Sequence, residues 1–215
     1  MVLLVIERWE CNMASPTTFN IASNNSIYGS DAVFATARAA TIGTLRNETD
    51  DQQYVGASYI ASVYYLDRSF LVFDTSALAG NKVTGATLGL YGMDKAGSGI
   101  AMNVFSSTCT NPIAATDFDL IGTTKLCDTD TAIADWSTAG YNVFTLNATG
   151  LANVSTTGLT KFGLWEINKD YGASAPTGTN YMRFFTAHKG GGYVPYLTVT
   201  YTLLASSAFF NFFFT

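Results

Sequence analysis

Nine short runs of alternating or continuous apolar residues, separated by stretches rich in turn residues, constrain this chain more than any single motif. They span residues 31–39, 52–60, 68–75, 82–93, 100–108, 141–146, 160–167, 182–188 and 196–203. In YLTVTYT, Leu197, Val199 and Tyr201 fall on one face and Thr198, Thr200 and Thr202 on the other, the pattern of a half-buried strand. In RSFLVFDT, Phe70, Leu71, Val72 and Phe73 run unbroken, as expected of a central strand covered on both faces. No long amphipathic helix separates these runs. Only LNATGLANVSTTG, with Leu146, Leu151 and Val154, reads as a short helical turn. The expected fold is therefore all-β, an antiparallel β-sandwich with jelly-roll-like connectivity.

At 215 residues the chain suits one sandwich with a sizeable core. The domain is expected over residues 28–202. Residues 1–27 read as a leader or extension, and residues 203–215 as an apolar tail. The opening MVLLVIERWECN is a poor signal peptide: Glu7 and Arg8 interrupt its apolar run, and neither a basic start nor a small-residue cleavage site is present. Met13 followed by Ala14 offers an alternative translation start to Met1.

Charge excludes one class of partner. The eleven Lys and Arg are dispersed over a chain of net charge −5, with no stripe to track phosphates, so nucleic acid is not an expected partner. The tail LLASSAFFNFFFT is too short for a membrane span. Its Phe209, Phe210, Phe212, Phe213 and Phe214 would be an aggregation hazard in water, and burial against the sandwich, a neighbouring copy or a partner is the sensible alternative.

Candidate chemistry is sparse. Asp67 and Arg68 stand at the entrance of one strand and Asp74 at its exit. Arg68 and Asp74, six residues apart, are separated by about 20 Å. Asp74 is expected to accept bonds from the backbone of the following turn, and all three to be scaffold. Asn47, Glu48, Asp50 and Asp51 are hard oxygen ligands, in a solvated acidic loop or a structural calcium site, without the spacing of an EF-hand. Cys109 and Cys127 are expected near one another, as a disulfide or as two buried thiols. His188 is the only histidine, which disfavours ordinary zinc sites and His-based hydrolases. The loop NKDYGASAPTGTNY places Asp170, Tyr171, Asn180 and Tyr181 close in sequence, either as a sugar-binding set or as packing residues. No cofactor is required by any of these.

RSFLVFDTSALAGNKVTGATLGLYG (68–92), then WSTAGYNVFTLNATGLANVSTTGLTKFGLWEINKDY (136–171), then VPYLTVTYT (194–202), together resemble the DNRLRE domain family. Its members are β-sandwiches similar in shape to carbohydrate-binding modules, found in secreted bacterial and archaeal proteins and in phage structural proteins. The likeness spans residues 28–202 and lies in the order of the strands, each of which alone is a degenerate pattern. It implies a non-catalytic module, with no catalytic constellation to transfer. The expectation is a structural or adhesive protein of a virion or the cell surface, working with other copies of itself or other virion or surface proteins. The alternative is a carbohydrate-binding module whose partner is a glycan.

Overall fold

The computed structural model describes residues 14–46 and 51–204. The strands are β1 (Ala14–Asp31), β2 (Thr44–Leu45), β3 (Gln52–Ile60), β4 (Val63–Asp74), β5 (Lys82–Ala96), β6 (Ala101–Ser107), β7 (Ile121–Lys125), β8 (Thr131–Ala132), β9 (Tyr141–Thr145), β10 (Leu159–Glu166), β11 (Tyr181–Phe185) and β12 (Tyr196–Thr202). Two short helices, α1 (Phe34–Arg38) and α2 (Ala148–Asn153), interrupt them. The strand pairings are antiparallel, and the fold is all-β and sandwich-like.

The sheet closes on itself because two long strands each serve two neighbourhoods. β1 pairs with β12 through residues 14–20, then with β4 through residues 21–31, and a bulge between Ile21 and Ser23 marks the change. β5 pairs with β12 and β9 early, then with β11 near its end. β11 pairs with β3, and β3 with β4, which completes the ring. From β4 the sheet also extends through β10 and β6 to β7 and β8.

β4 is covered on both faces, as its unbroken apolar run requires. Leu71 and Phe73 point into one core cluster with Leu88, Phe144, Phe162, Phe184 and Leu197. Phe70 and Val72 point into another with Ile27, Leu66, Phe105, Phe118 and Trp165. The first cluster fills the sandwich. The second is closed by α1, whose Phe34 ring packs 5.4 Å from Tyr64, and by the long connection between β6 and β7, which supplies Ile113 and Phe118.

Three expectations change. Beyond Asp31, which ends β1, residues 32–39 are a turn and α1, not a strand: an Ala-rich stretch with one buried side chain, Ala37, gains more from a helical turn than from a sheet edge. Residues 14–27, expected to precede the domain, are strand, so the sandwich starts at Ala14 among the described residues. Cys109 and Cys127 are two buried free thiols, one of the two expected states, but they lie in different clusters rather than near one another. The β6–β7 pairing sets Phe105 opposite Lys125, and the Cys127 carbonyl accepts a 3.1 Å bond from Asn103, so Cys109 lies some six residues further along the hairpin. That is about 20 Å, far outside disulfide reach. The helix over 146–154 forms as α2, capped by Asn147, which accepts the Gly150 N–H at 2.9 Å.

Candidate functional site: a tyrosine cleft beside a buried ion pair

Asp67 and Arg68 are consecutive in β4, so strand alternation sends their side chains to opposite faces. Both are buried, at 4% and 3% exposure.

Arg68 enters the outer cluster. Its Nε and Nη2 donate to the two carboxylate oxygens of Asp170 at 2.8 and 2.9 Å, and Nη1 donates to the Phe118 carbonyl at 3.0 Å. The guanidinium lies 4.1 Å from the Phe118 ring and 4.6 Å from the Trp165 ring. Asp170 belongs to a wide π-helical turn, Ile167–Tyr171, whose free N–H groups are gathered by Glu166: its carboxylate accepts from Asn168 at 2.8 Å, Lys169 at 2.6 Å and Asp170 at 2.9 Å. Burial pushes the Glu166 carboxyl up, and these backbone donors oppose the rise. Arg38 of α1 donates its Nε to the Asp170 carbonyl and lies 3.7 Å from its carboxylate. Tyr171 packs against Phe105 and Trp165 and donates its hydroxyl to Thr123. This side is closed: Asp170 has no exposed surface and both its oxygens are bonded.

Asp67 emerges on the other face. Arg46, just after β2, donates Nη2 and Nε to Asp67 Oδ1 at 2.6 and 3.0 Å, while its guanidinium is held between the rings of Tyr28 (4.8 Å) and Tyr54 (4.2 Å). Register explains the convergence, since Tyr28 pairs with Asp67 across β1–β4 and Gly56 pairs with Asp67 across β3–β4. Arg183 extends the stack. It lies 5.1 Å from the Tyr54 ring and 5.0 Å from the Tyr181 ring, donates to the Tyr54 hydroxyl at 3.0 Å, and pairs with Asp94. Gly56 is needed at the floor: a Cβ there would fall 2.3 Å from the Asn180 carbonyl oxygen and 2.8 Å from Tyr181 Cα, so its absence lets β11 close onto β3. The result is an open cleft of about 330 Å³ lined by Arg46, Tyr54, Tyr65, Asp67, Thr179 and Tyr181, together with Ser58 and Ile60. Burial pushes the Asp67 carboxyl above its ordinary value, and the Arg46 guanidinium opposes that rise.

The four loop residues Asp170, Tyr171, Asn180 and Tyr181 are therefore divided. Asp170 and Tyr171 belong to the buried network. Asn180 ties its own loop, donating to the Ala57 and Gly178 carbonyls and accepting from the Ser98 N–H. Tyr181 alone lines the cleft. The residues that join it come from elsewhere in the chain: Tyr54 from β3, Tyr65 and Asp67 two positions apart in β4, and Arg46 from the residue after β2. The hairpin that turns at Ala61 and Ser62 fixes Tyr65 opposite Ser58, but neither residue is the Asn or Gly that would mark such a turn in the sequence.

The other expected sites fall elsewhere. Asp74 Oδ1 accepts from the Ser76 N–H at 3.0 Å and hydroxyl at 2.6 Å, the turn role expected of it, and these bonds hold its carboxyl below its ordinary value. Glu48 and Asp50 lie outside the described residues, as does Asn47. Asp51 faces Lys189 at 3.6 Å, and among the described residues no group of three His, Cys, Asp or Glu is placed to hold a metal. Phe209, Phe210, Phe212, Phe213 and Phe214 also lie outside the described residues. No helix among the described residues is long and apolar enough to cross a membrane. A second concavity of about 360 Å³, lined by Asn24, Asn25, Asn111, Pro112, Ala187 and His188, lacks both the ring stack and the ion pair.

A scan against protein-family models finds no match for this chain, and a search of curated proteins finds none either.

Proposed function

We infer that the chain is a non-catalytic adhesive β-sandwich, a recognition element of a virion or cell-surface assembly, and that the tyrosine cleft is its contact point. The observation that carries this reading is how the cleft is held. Two guanidinium groups fix its rings from the sides, and each guanidinium is itself neutralised by a carboxylate, Arg46 by Asp67 and Arg183 by Asp94. Rings held in advance lose little conformational freedom on contact, which favours a binding surface. The buried acids other than Asp67 hold scaffold bonds: Asp170 with Arg68, Glu166 with backbone N–H groups, and Oδ2 of Asp117 with the Thr110 and Ala114 N–H groups. We also propose that the apolar tail, residues 203–215, attaches the chain to neighbouring subunits, so deleting residues 204–215 should lower the sedimenting mass while the sandwich stays folded.

The direct test coats beads with the full chain and washes them over a panel of bacterial and animal cell surfaces. Retention on at least one surface, lost with Tyr181→Ala, is the expected result. Beads that adhere to none would sink the adhesive reading.

A further inference from the structure

Resting on that adhesive reading, the geometry points to an uncharged saccharide as the ligand of the tyrosine cleft. Charge removes two classes of ligand. Arg46 is tied to Asp67 at 2.6 Å and Arg183 to Asp94, so among the described residues an anion finds no unpaired cation in the cleft. A cationic ligand would compete for the Tyr54 ring, where the two guanidinium groups already lie 4.2 and 5.1 Å away. A wholly apolar ligand would cover polar groups without satisfying them. The hydroxyls of Tyr65, Tyr181 and Thr179 make no hydrogen bond among the described residues, and Arg46 engages only Oδ1 of Asp67, leaving Oδ2 without a donor among them. Covering such groups unpaired is costly.

What fits is a molecule with flat C–H faces for the rings and several hydroxyls for the rim, carrying no net charge. Hydroxyls of the ligand donate to Asp67 and exchange bonds with Thr179, Tyr65 and Tyr181. Its ring faces pack on the tyrosines. The volume of about 330 Å³ is at the small end for ligand clefts and suits a terminal sugar or a short oligosaccharide rather than a long chain segment.

The test is an array of neutral, sialylated and sulfated oligosaccharides probed with the full chain, followed by calorimetric titration of the neutral oligosaccharide with the strongest signal. Neutral saccharides should be preferred. Tyr65→Ala and Tyr181→Ala should each weaken the titrated affinity by about tenfold or more, with melting temperature unchanged, while Tyr181→Phe, which keeps the ring, should lose much less. A signal confined to charged saccharides, neutral binding indifferent to these variants, or no signal at all would overturn the assignment. Periodate treatment of the surfaces used in the bead assay separates the two claims. Retention that survives oxidation of the sugars refutes the saccharide while sparing adhesion, and absence of retention before oxidation refutes adhesion itself.

Discussion

Two ion pairs that leave β4 from adjacent residues differ in nearly every respect. Arg68–Asp170 is sealed: the side chains are 4% and 0% exposed, the pairing is bidentate, and aromatic rings flank the guanidinium. Arg46–Asp67 is half open, with 29% of the Arg46 side chain exposed and one carboxylate oxygen carrying both bonds. The first pins α1, the β6–β7 connection and the turn at 167–171 to one face of the sheet. The second braces tyrosines that face solvent. A single dipeptide thus supplies a scaffold on one face and the edge of a recognition cleft on the other, because strand alternation separates neighbours in sequence by the thickness of the sheet.

The largest expected effect lies on the buried side. Asp170→Ala leaves Arg68 buried without its anion and should cost about 3–5 kcal/mol, read as a shift in the denaturant midpoint. Replacing both partners, Arg68→Met with Asp170→Leu, should restore much of that loss, since well-packed apolar groups rival a buried pair. A single variant as stable as the wild type would show that the pair is not sealed.

The open pair should respond less in magnitude and more in pH dependence. Arg46→Ala should cost about 1 kcal/mol near neutrality. Burial lifts the folded Asp67 above its ordinary 3.8, so the folded chain holds this proton more tightly than the unfolded chain. Between 3.8 and that raised value, the stability due to Asp67 falls as pH rises. Removing Arg46 takes away the main influence that lowers the folded value, so the window stretches upward and the variant loses stability over a longer span of pH. Glu166 slopes the same way in both proteins and cancels in the difference. Chemical denaturation at a series of pH values, with Asp67→Asn added to the Arg46→Ala chain, should remove the extra slope. A slope indifferent to Asp67→Asn would assign it to another group.

The smallest expected effect concerns the two thiols, one in each core cluster. Burial pushes Cys127 up to about 12 and raises Cys109 as well. In a Cys11→Ser chain at pH 8, neither should take up an alkylating reagent without denaturant, as intact mass would record. Rapid labelling of Cys109 alone would mean that the outer cluster opens far more readily than the inner one.

The contrast between the two sides also marks what sequence could disclose. The central strand was legible because Phe70 to Phe73 is unbroken, and β12 because its threonines alternate strictly. β3 was legible in full, over Gln52–Ile60. β1 was not. Its buried positions include the consecutive Asn25, Ser26 and Ile27 as well as Phe19, and the bulge at Ile21/Ser23 slips the alternation halfway along, so no single period runs through it. The cleft was partly legible. Tyr181 stood out as an aromatic in a polar loop, but its companions gather only through register. The turn that sets that register, Ala61–Ser62, has positive φ at both residues without the Asn-Gly signature that would announce it. Asp170 looked like a loop ligand because nothing in its neighbourhood reveals an arginine 102 positions earlier as its partner.

On the proposed division, the face carrying Asp67 recognises and the face carrying Arg68 only holds the fold. The most direct measurement is bead retention by Tyr181→Ala and by Asp170→Asn, both at a temperature where circular dichroism shows each chain folded. Tyr181→Ala should lose retention with an unchanged melting temperature, and Asp170→Asn should melt lower yet be retained. Retention kept by Tyr181→Ala and lost by folded Asp170→Asn would contradict the division and move the recognition site to the other face.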